Sequence, residues 1–186
     1  MRLIAAAAAL ALGTAWAAEE TKIETKSTEI VNLKGDVPAA WQSQKPKTEF
    51  RNIQFGVKKV EGDTEDGEFY VAYFRGGSGT LEDNLKRWYG QFKQADGSDT
   101  GDAAKVAKSE RDGMKIVTVD VPGIYMERVG GPFNPNAKVV EHKGYRLLGA
   151  IVDTDHGTYY FRLTGPTKTL EAHRAGFENL IKSLKK

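Results

Sequence analysis

The sequence predicts an α+β protein, one antiparallel β-sheet with amphipathic helices packed on it. Three observations lead there. Arg111-Asp112-Gly113 and Asp155-His156-Gly157 each join two β-prone segments, and strands joined by such tight turns run antiparallel. Two segments, one starting near Thr80 and one near Thr167, repeat apolar residues at helical spacing. The order strands, helix, two hairpins, helix then leaves the helices a sheet surface on which to bury those faces.

The first residues read as an address. Met1 to Leu12 is apolar apart from Arg2, and Ala15-Trp16-Ala17 supplies a small-x-small site. A charged start, an apolar stretch of about ten residues and such a site make residues 1–17 a secretory signal peptide. The stretch is too short for a spanning helix, which needs about 20 residues, so no transmembrane segment is expected after its removal. The protein is therefore expected in the periplasm or outside the cell. Cleavage would take Arg2 off a formal net charge of +2, leaving no global field to steer an anionic partner.

Residues 18–34 are rich in Thr, Glu and Lys and read as a mobile leader running into a first strand. Residues 35–186 read as a single α+β domain. Trp41, between Pro38 and Pro46, is expected to dock on the core edge from irregular backbone. Ile53, Phe55 and Val57 alternate with Asn52, Gln54 and Gly56, which predicts a strand with the first set inward. An acidic turn over 61–67 leads to a strand over 68–75 that is apolar on both faces, as a strand covered on both sides would be.

Gly76-Gly77-Ser78-Gly79 then precedes a helix. Thr80 and Asp83 have the form of a capping box, and Leu81, Leu85, Trp88, Tyr89 and Phe92 share one face. That helix is expected to end before Asp96-Gly97. Hairpins follow over 103–121 and 145–164, separated by a long Gly/Pro/Asn loop at 130–136. Leu170, Phe177, Leu180, Ile181 and Leu184 mark a last helix.

Composition removes several functions. The chain of 186 residues has no cysteine, which excludes disulfides, thiolate nucleophiles, Cys-ligated zinc, iron–sulfur clusters and an N-terminal lipidated Cys. With 27 Lys+Arg against 25 Asp+Glu, it lacks the basic excess of a nucleic-acid binder.

Three stretches together carry a resemblance. These are Val37-Pro38-Ala39-Ala40-Trp41 leading to Phe50-Arg51-Asn52-Ile53-Gln54-Phe55, Tyr73-Phe74-Arg75-Gly76-Gly77 leading to Asn84-Leu85-Lys86-Arg87-Trp88, and Leu163-Thr164-Gly165-Pro166. Over about residues 30–185 the chain resembles small exported bacterial proteins of unassigned function with the PsbP-like fold, also seen in DcrB-type periplasmic proteins. The resemblance implies an antiparallel sheet with helices packed on it and an accessory or assembly role, not an enzyme. It carries no site residue over. The lipidated Cys common among DcrB-type proteins has no counterpart here.

The chemistry-bearing residues admit two candidate sites. Gly77, Ser78, Gly79 and Thr80 lie ahead of a helix, where free N–H groups can hold an anion. Against this, no P-loop Lys follows, and Glu82 and Asp83 already place two carboxylates in the first turn, so a plain strand–helix turn is the stronger reading. Tyr145, Arg146, Tyr159 and Arg162 form the second candidate, an aromatic–cationic surface of the kind enriched at protein interfaces. The competing reading, that alternate residues line the core while Arg stems cover its edge, is favoured.

His142, His156 and His173 form no H-x-H or H-E-x-x-H motif, so no metal or other cofactor is expected. Gly77-Ser78-Gly79 lacks the spacing of a nucleophile elbow, and no catalytic residue is assigned. The function expected is that of an exported, non-enzymatic accessory or binding protein of the cell envelope. It would contact an unknown envelope protein, not nucleic acid, through its sheet edge or loops. The alternatives are a small-molecule or anion binder using the Gly76–Thr80 loop and an enzyme of unrecognised type.

Overall fold

In a computed structural model, residues 23–77, 79–130 and 137–186 are described. The expected signal peptide, Ser78 and most of the expected 130–136 loop lie outside them. Among the described residues, ten strands and three helices follow in chain order. These are β1 (Thr25–Ile30), β2 (Leu33–Pro38), β3 (Gln42–Gln44), β4 (Ile53–Val57), β5 (Gly67–Phe74), α1 (Leu81–Tyr89), β6 (Phe92–Lys93), α2 (Thr100–Ala103), β7 (Lys105–Arg111), β8 (Met114–Val129), β9 (Lys138–Thr154), β10 (Gly157–Pro166) and α3 (Thr167–Ser183).

The main sheet runs β3-β4-β5-β10-β9-β8, all antiparallel. Beyond β8 its far side carries β7 along one half and the short β6 along the other. β9 and β10 are central and covered on both faces, so they are buried almost continuously over Leu147–Val152 and Gly157–Leu163. Both predicted hairpins form. Asp112 and Gly113 both take positive φ, 50° and 69°, the geometry that a two-residue turn needs to match the strand twist.

One face of the sheet closes against α3 and the β1–β2 hairpin. Phe69, Val71, Leu148, Ala150, Phe161 and Leu163 meet Leu170, Phe177, Leu180 and Ile181 of α3 in one buried cluster, each side chain larger than alanine contributing about 1.5–3 kcal/mol. Trp41 docks there as expected, its indole N–H donating to His173 Nδ1 at 3.2 Å. The hairpin occupies the second half of the segment expected to be a leader, and its Ile30 and Leu33 are buried. Lys34 and Lys185 exchange backbone hydrogen bonds at 2.9 Å, tying the hairpin to the C-terminal end of α3.

The opposite face carries a second cluster built from Ala72, Val119, Val121, Leu147, Ile151 and Tyr160, capped by Trp88 of α1 and by Phe92. Two expectations fail here. The helix stops at Gly90, because Phe92 leaves the helical path to pair with Tyr125 of β8. Gln54, expected outward, is 2% exposed; it holds the Lys47 N–H, the Arg51 guanidinium, Gln44 and Glu68 in one polar cluster. The 145–154 strand also starts earlier than expected, since β8 and β9 pair out to Val129 and Lys138.

Candidate functional site

The Gly76–Thr80 loop takes the form its glycines allow. Gly76, Gly77 and Gly79 sit at φ 78°, 83° and 92°, and the Gly77 N–H donates to the Phe74 carbonyl at 3.2 Å. Thr80 caps α1: its hydroxyl oxygen accepts the Asp83 N–H at 3.1 Å and its O–H donates to the Asp83 carboxylate at 2.6 Å. Hydrogen bonds from the Thr80 hydroxyl and the Thr80 backbone hold the Asp83 carboxyl below the usual carboxylate range. The positive end of the helix is thus occupied by the chain's own acid.

The loop nevertheless borders a recess of about 1020 Å³ at the end of the sheet. Arg75, Lys108 and Lys115 line it, and among the described residues none of the three has a carboxylate within ion-pair distance. Of the three acids on its wall, Asp155 pairs with Lys186 at 2.9 Å and Asp153 accepts the Thr158 hydroxyl at 2.9 Å, leaving Glu110.

β7 forms one border of this recess and also the border of another. On the α3 side of the strand, a groove of about 400 Å³ runs between Val106, Ala107, Phe177, Ile181 and Lys182. Among the described residues β7 pairs only with β8, which leaves one edge of its backbone open there, and six of its seven residues are exposed. Three of those seven, Lys105, Lys108 and Arg111, are cationic.

The four residues of the late hairpin do not form one surface. Tyr159 is fully buried with the α3-side core, and Arg146 points to that same side, in contact with Asp120 and Glu171. Tyr145 and Arg162 lie on the α1 side. The Tyr145 hydroxyl donates to Glu65, and burial together with that carboxylate pushes its pKa well above the ordinary phenol value. Arg162, 7% exposed, donates to the Tyr70 hydroxyl at 3.2 Å and to Gln91 Oε1 at 2.8 Å.

No protein-family model and no curated protein matches the chain. Among solved structures, cyanobacterial PsbP (CyanoP) from Synechocystis sp. PCC 6803 superposes with a TM-score of 0.53 at 13% identity, over 93% of this chain and 99% of that one. The fold is PsbP-like. A protein of unknown function from Pseudomonas aeruginosa, PA94, is similar at a TM-score of 0.47 and 13% identity, over 88% of this chain and 97% of that one. The PsbP-like α+β fold expected from the sequence is therefore the fold observed.

Within this PsbP-like sheet, β7 is the first strand of the expected 103–121 hairpin, but neither its residues nor the neighbours of Arg162 are among the site residues expected from the sequence. β7 had a visible signal, because only Val106 and Ala107 of its seven residues are apolar, as befits a strand with little to bury. Tyr70, Trp88 and Gln91 come from β5, α1 and the turn after it, and nothing local links them to Arg162. Among the described residues no helix is long and apolar enough to cross a membrane, and no group of three or more acids and histidines could hold a metal ion.

Proposed function

We propose that the protein is an exported, non-enzymatic accessory protein of the cell envelope that binds an extended, acidic segment of a partner protein along β7. The observation that carries this reading is an open edge strand with a recess on each side. A strand added to such an edge gains main-chain hydrogen bonds, and its alternate side chains enter pockets on opposite faces of the sheet. Lys105 and Lys108 on the strand, with Arg75 and Lys115 beside it, supply the charge that selects an acidic segment. The signal-peptide pattern read in residues 1–17 supports the compartment. A second reading, a small anion held in the recess by Arg75, Lys108 and Lys115, rests on the same unpaired cations.

The test is crosslinking of the full chain in the envelope fraction, followed by hydrogen exchange on the recovered complex. Slowed exchange at the β7 amides, lost together with the partner in a Lys105→Glu/Lys108→Glu variant, is the expected result. A partner recovered equally by that variant, or protection that avoids β7, would overturn the reading. Protection of the recess by inorganic phosphate alone, without a protein partner, would select the small-anion alternative.

A further inference from the structure

Each sheet face holds an arginine largely out of water, and the two faces treat it differently. On the α3 side, Arg146 contacts Asp120 and Glu171, and Arg174 contacts the same two acids. That is the ordinary arrangement, since a cation taken out of water needs an anion beside it. On the α1 side, Arg162 has no carboxylate within ion-pair distance among the described residues. Its partners are neutral, Tyr70 and Gln91, and its Nε is buried without a hydrogen-bond acceptor. The rings of Tyr70 and Trp88 flank the guanidinium, with centroids at 5.7 and 5.5 Å. Cation–π contacts offset part of the lost hydration, but they leave the charge uncompensated.

Arg162 forms part of the wall of an open recess of about 680 Å³ between β5 and α1. Tyr70, Phe74, Trp88 and Tyr160 make its other walls aromatic. Arg87, exposed on α1 and free of an ion pair among the described residues, stands at its mouth; Glu49 is also on its lining, and Arg51 is already taken by Glu68 at 2.8 Å. The volume suits a small molecule, and mostly apolar walls with a few convergent polar groups are what such sites present.

We propose that this recess binds a small carboxylate with an aromatic or alkyl body. The body lies between Trp88, Phe74 and Tyr160, and the carboxylate accepts from the buried guanidinium of Arg162, with Arg87 closing from the mouth. A carboxylate there supplies the counter-charge that the fold omits, accepting from the terminal nitrogens of the guanidinium. The site is separate from β7 and stands or falls independently of the partner reading.

The test uses phenylacetate as the probe, with its neutral analogue 2-phenylethanol and with acetate as controls. Binding is followed by Trp88 fluorescence and by the Arg162 Nε–H resonance. Saturable phenylacetate binding that shifts the Nε–H signal is expected, with both controls weaker by roughly tenfold or more, since a charge-assisted hydrogen bond and the apolar contact are each of that size. Arg162→Gln should weaken phenylacetate by about the same factor without changing 2-phenylethanol. Arg87→Gln, at an exposed position, should weaken it a few-fold and serves if the first variant does not fold. Equal affinity for phenylacetate and 2-phenylethanol, or no saturation by either, would overturn the proposal. Stability supplies a second readout. Arg162→Met should unfold at the same or a higher urea concentration than the wild type, because a residue kept for a ligand is a burden on the empty fold. A clearly lower midpoint would assign the arginine to the fold instead.

Discussion

Replacing Gly149 with alanine tests how α1 is held on the sheet. A Cβ built at Gly149 lies 2.5 Å from Trp88 Cζ3, 3.1 Å from Trp88 Cε3 and 2.9 Å from Val119 Cγ1. Carbon atoms rest at about 3.5–4.0 Å, so the indole must retreat by about 1 Å. Gly149 sits on the central strand β9, which cannot yield without disturbing its pairing with β8 and β10, so the movement falls on α1. That helix has nine residues, too short to persist without its packing, and Trp88 is its deepest apolar anchor at 5% exposed.

Over-packing of this kind costs about 1–3 kcal/mol. Gly149 has an ordinary φ, so alanine is free of backbone strain there and reduces the entropy of the unfolded chain, a gain of about 0.4–1 kcal/mol. The clash wins, and a net loss of about 1–2 kcal/mol is expected. Its cause can be isolated by a double-mutant cycle. Trp88→Leu removes the atoms in the way and alone costs about 2–4 kcal/mol for lost burial. Combined with Gly149→Ala, it should cost at least about 1 kcal/mol less than the sum of the two. Equilibrium urea unfolding followed by far-ultraviolet circular dichroism gives all four stabilities. An unchanged midpoint for Gly149→Ala, or strict additivity in the double variant, would refute the placement of the indole over Gly149.

Three further outcomes are expected. Thr80→Ala removes the α1 cap and should cost about 1 kcal/mol in urea unfolding, with Thr80→Ser restoring most of it. Asp120→Asn leaves Arg146 and Arg174 with Glu171 alone; the expected loss is about 2–3 kcal/mol, less than for a fully buried pair because Arg174 and Glu171 keep some contact with water. Burial raises the pKa of Tyr89, Tyr125, Tyr145 and Tyr159, with Glu65 adding to the effect at Tyr145. Their contribution to stability is therefore complete below about pH 10, the value in the unfolded chain, and is lost as the pH rises beyond it. In a spectrophotometric titration these four should ionise above about pH 10, together with alkaline unfolding; their ionisation near pH 10 in the folded protein would contradict this.

Much of the architecture was legible because its signals are local. The Asp112-Gly113 turn, the Thr80–Asp83 cap and the two-sided apolar strand β5 each depend on residues close in sequence. Phe92 misled for a definite reason. Its position fits the helical face of Leu81, Leu85 and Trp88, and only its pairing with Tyr125, 33 residues later in the chain, decides for a strand. Gln54 is a similar case, since its burial requires Arg51, Gln44 and Glu68 to gather from three segments. The late hairpin held more information than a reading by composition extracts. Tyr145 and Arg146 are adjacent in a strand and must face opposite ways, and the β9–β10 register sets Arg162 across from Gly149, on the Tyr145 side. Strand parity alone therefore separates Arg162 from Arg146 and Tyr159.

That separation bears on where function can reside in this fold. The face holding Arg146 is closed by a 17-residue helix and a hairpin, and its charges are matched there. Among the described residues, the helices over the face holding Arg162 are nine residues of α1 and four of α2, with the 48–51 segment beside them, too few to roof a sheet of this width. What they leave open is lined by tyrosine, tryptophan, phenylalanine and arginine, side chains that bind well when a partner arrives and are poorly served by water. A second helix over β5 and β10 would bury those rings at a gain in stability. The short α1, seated by Gly149 and capped by its own Thr80, leaves that surface accessible, and the uncompensated charge of Arg162 marks the point in it suited to receive an anion.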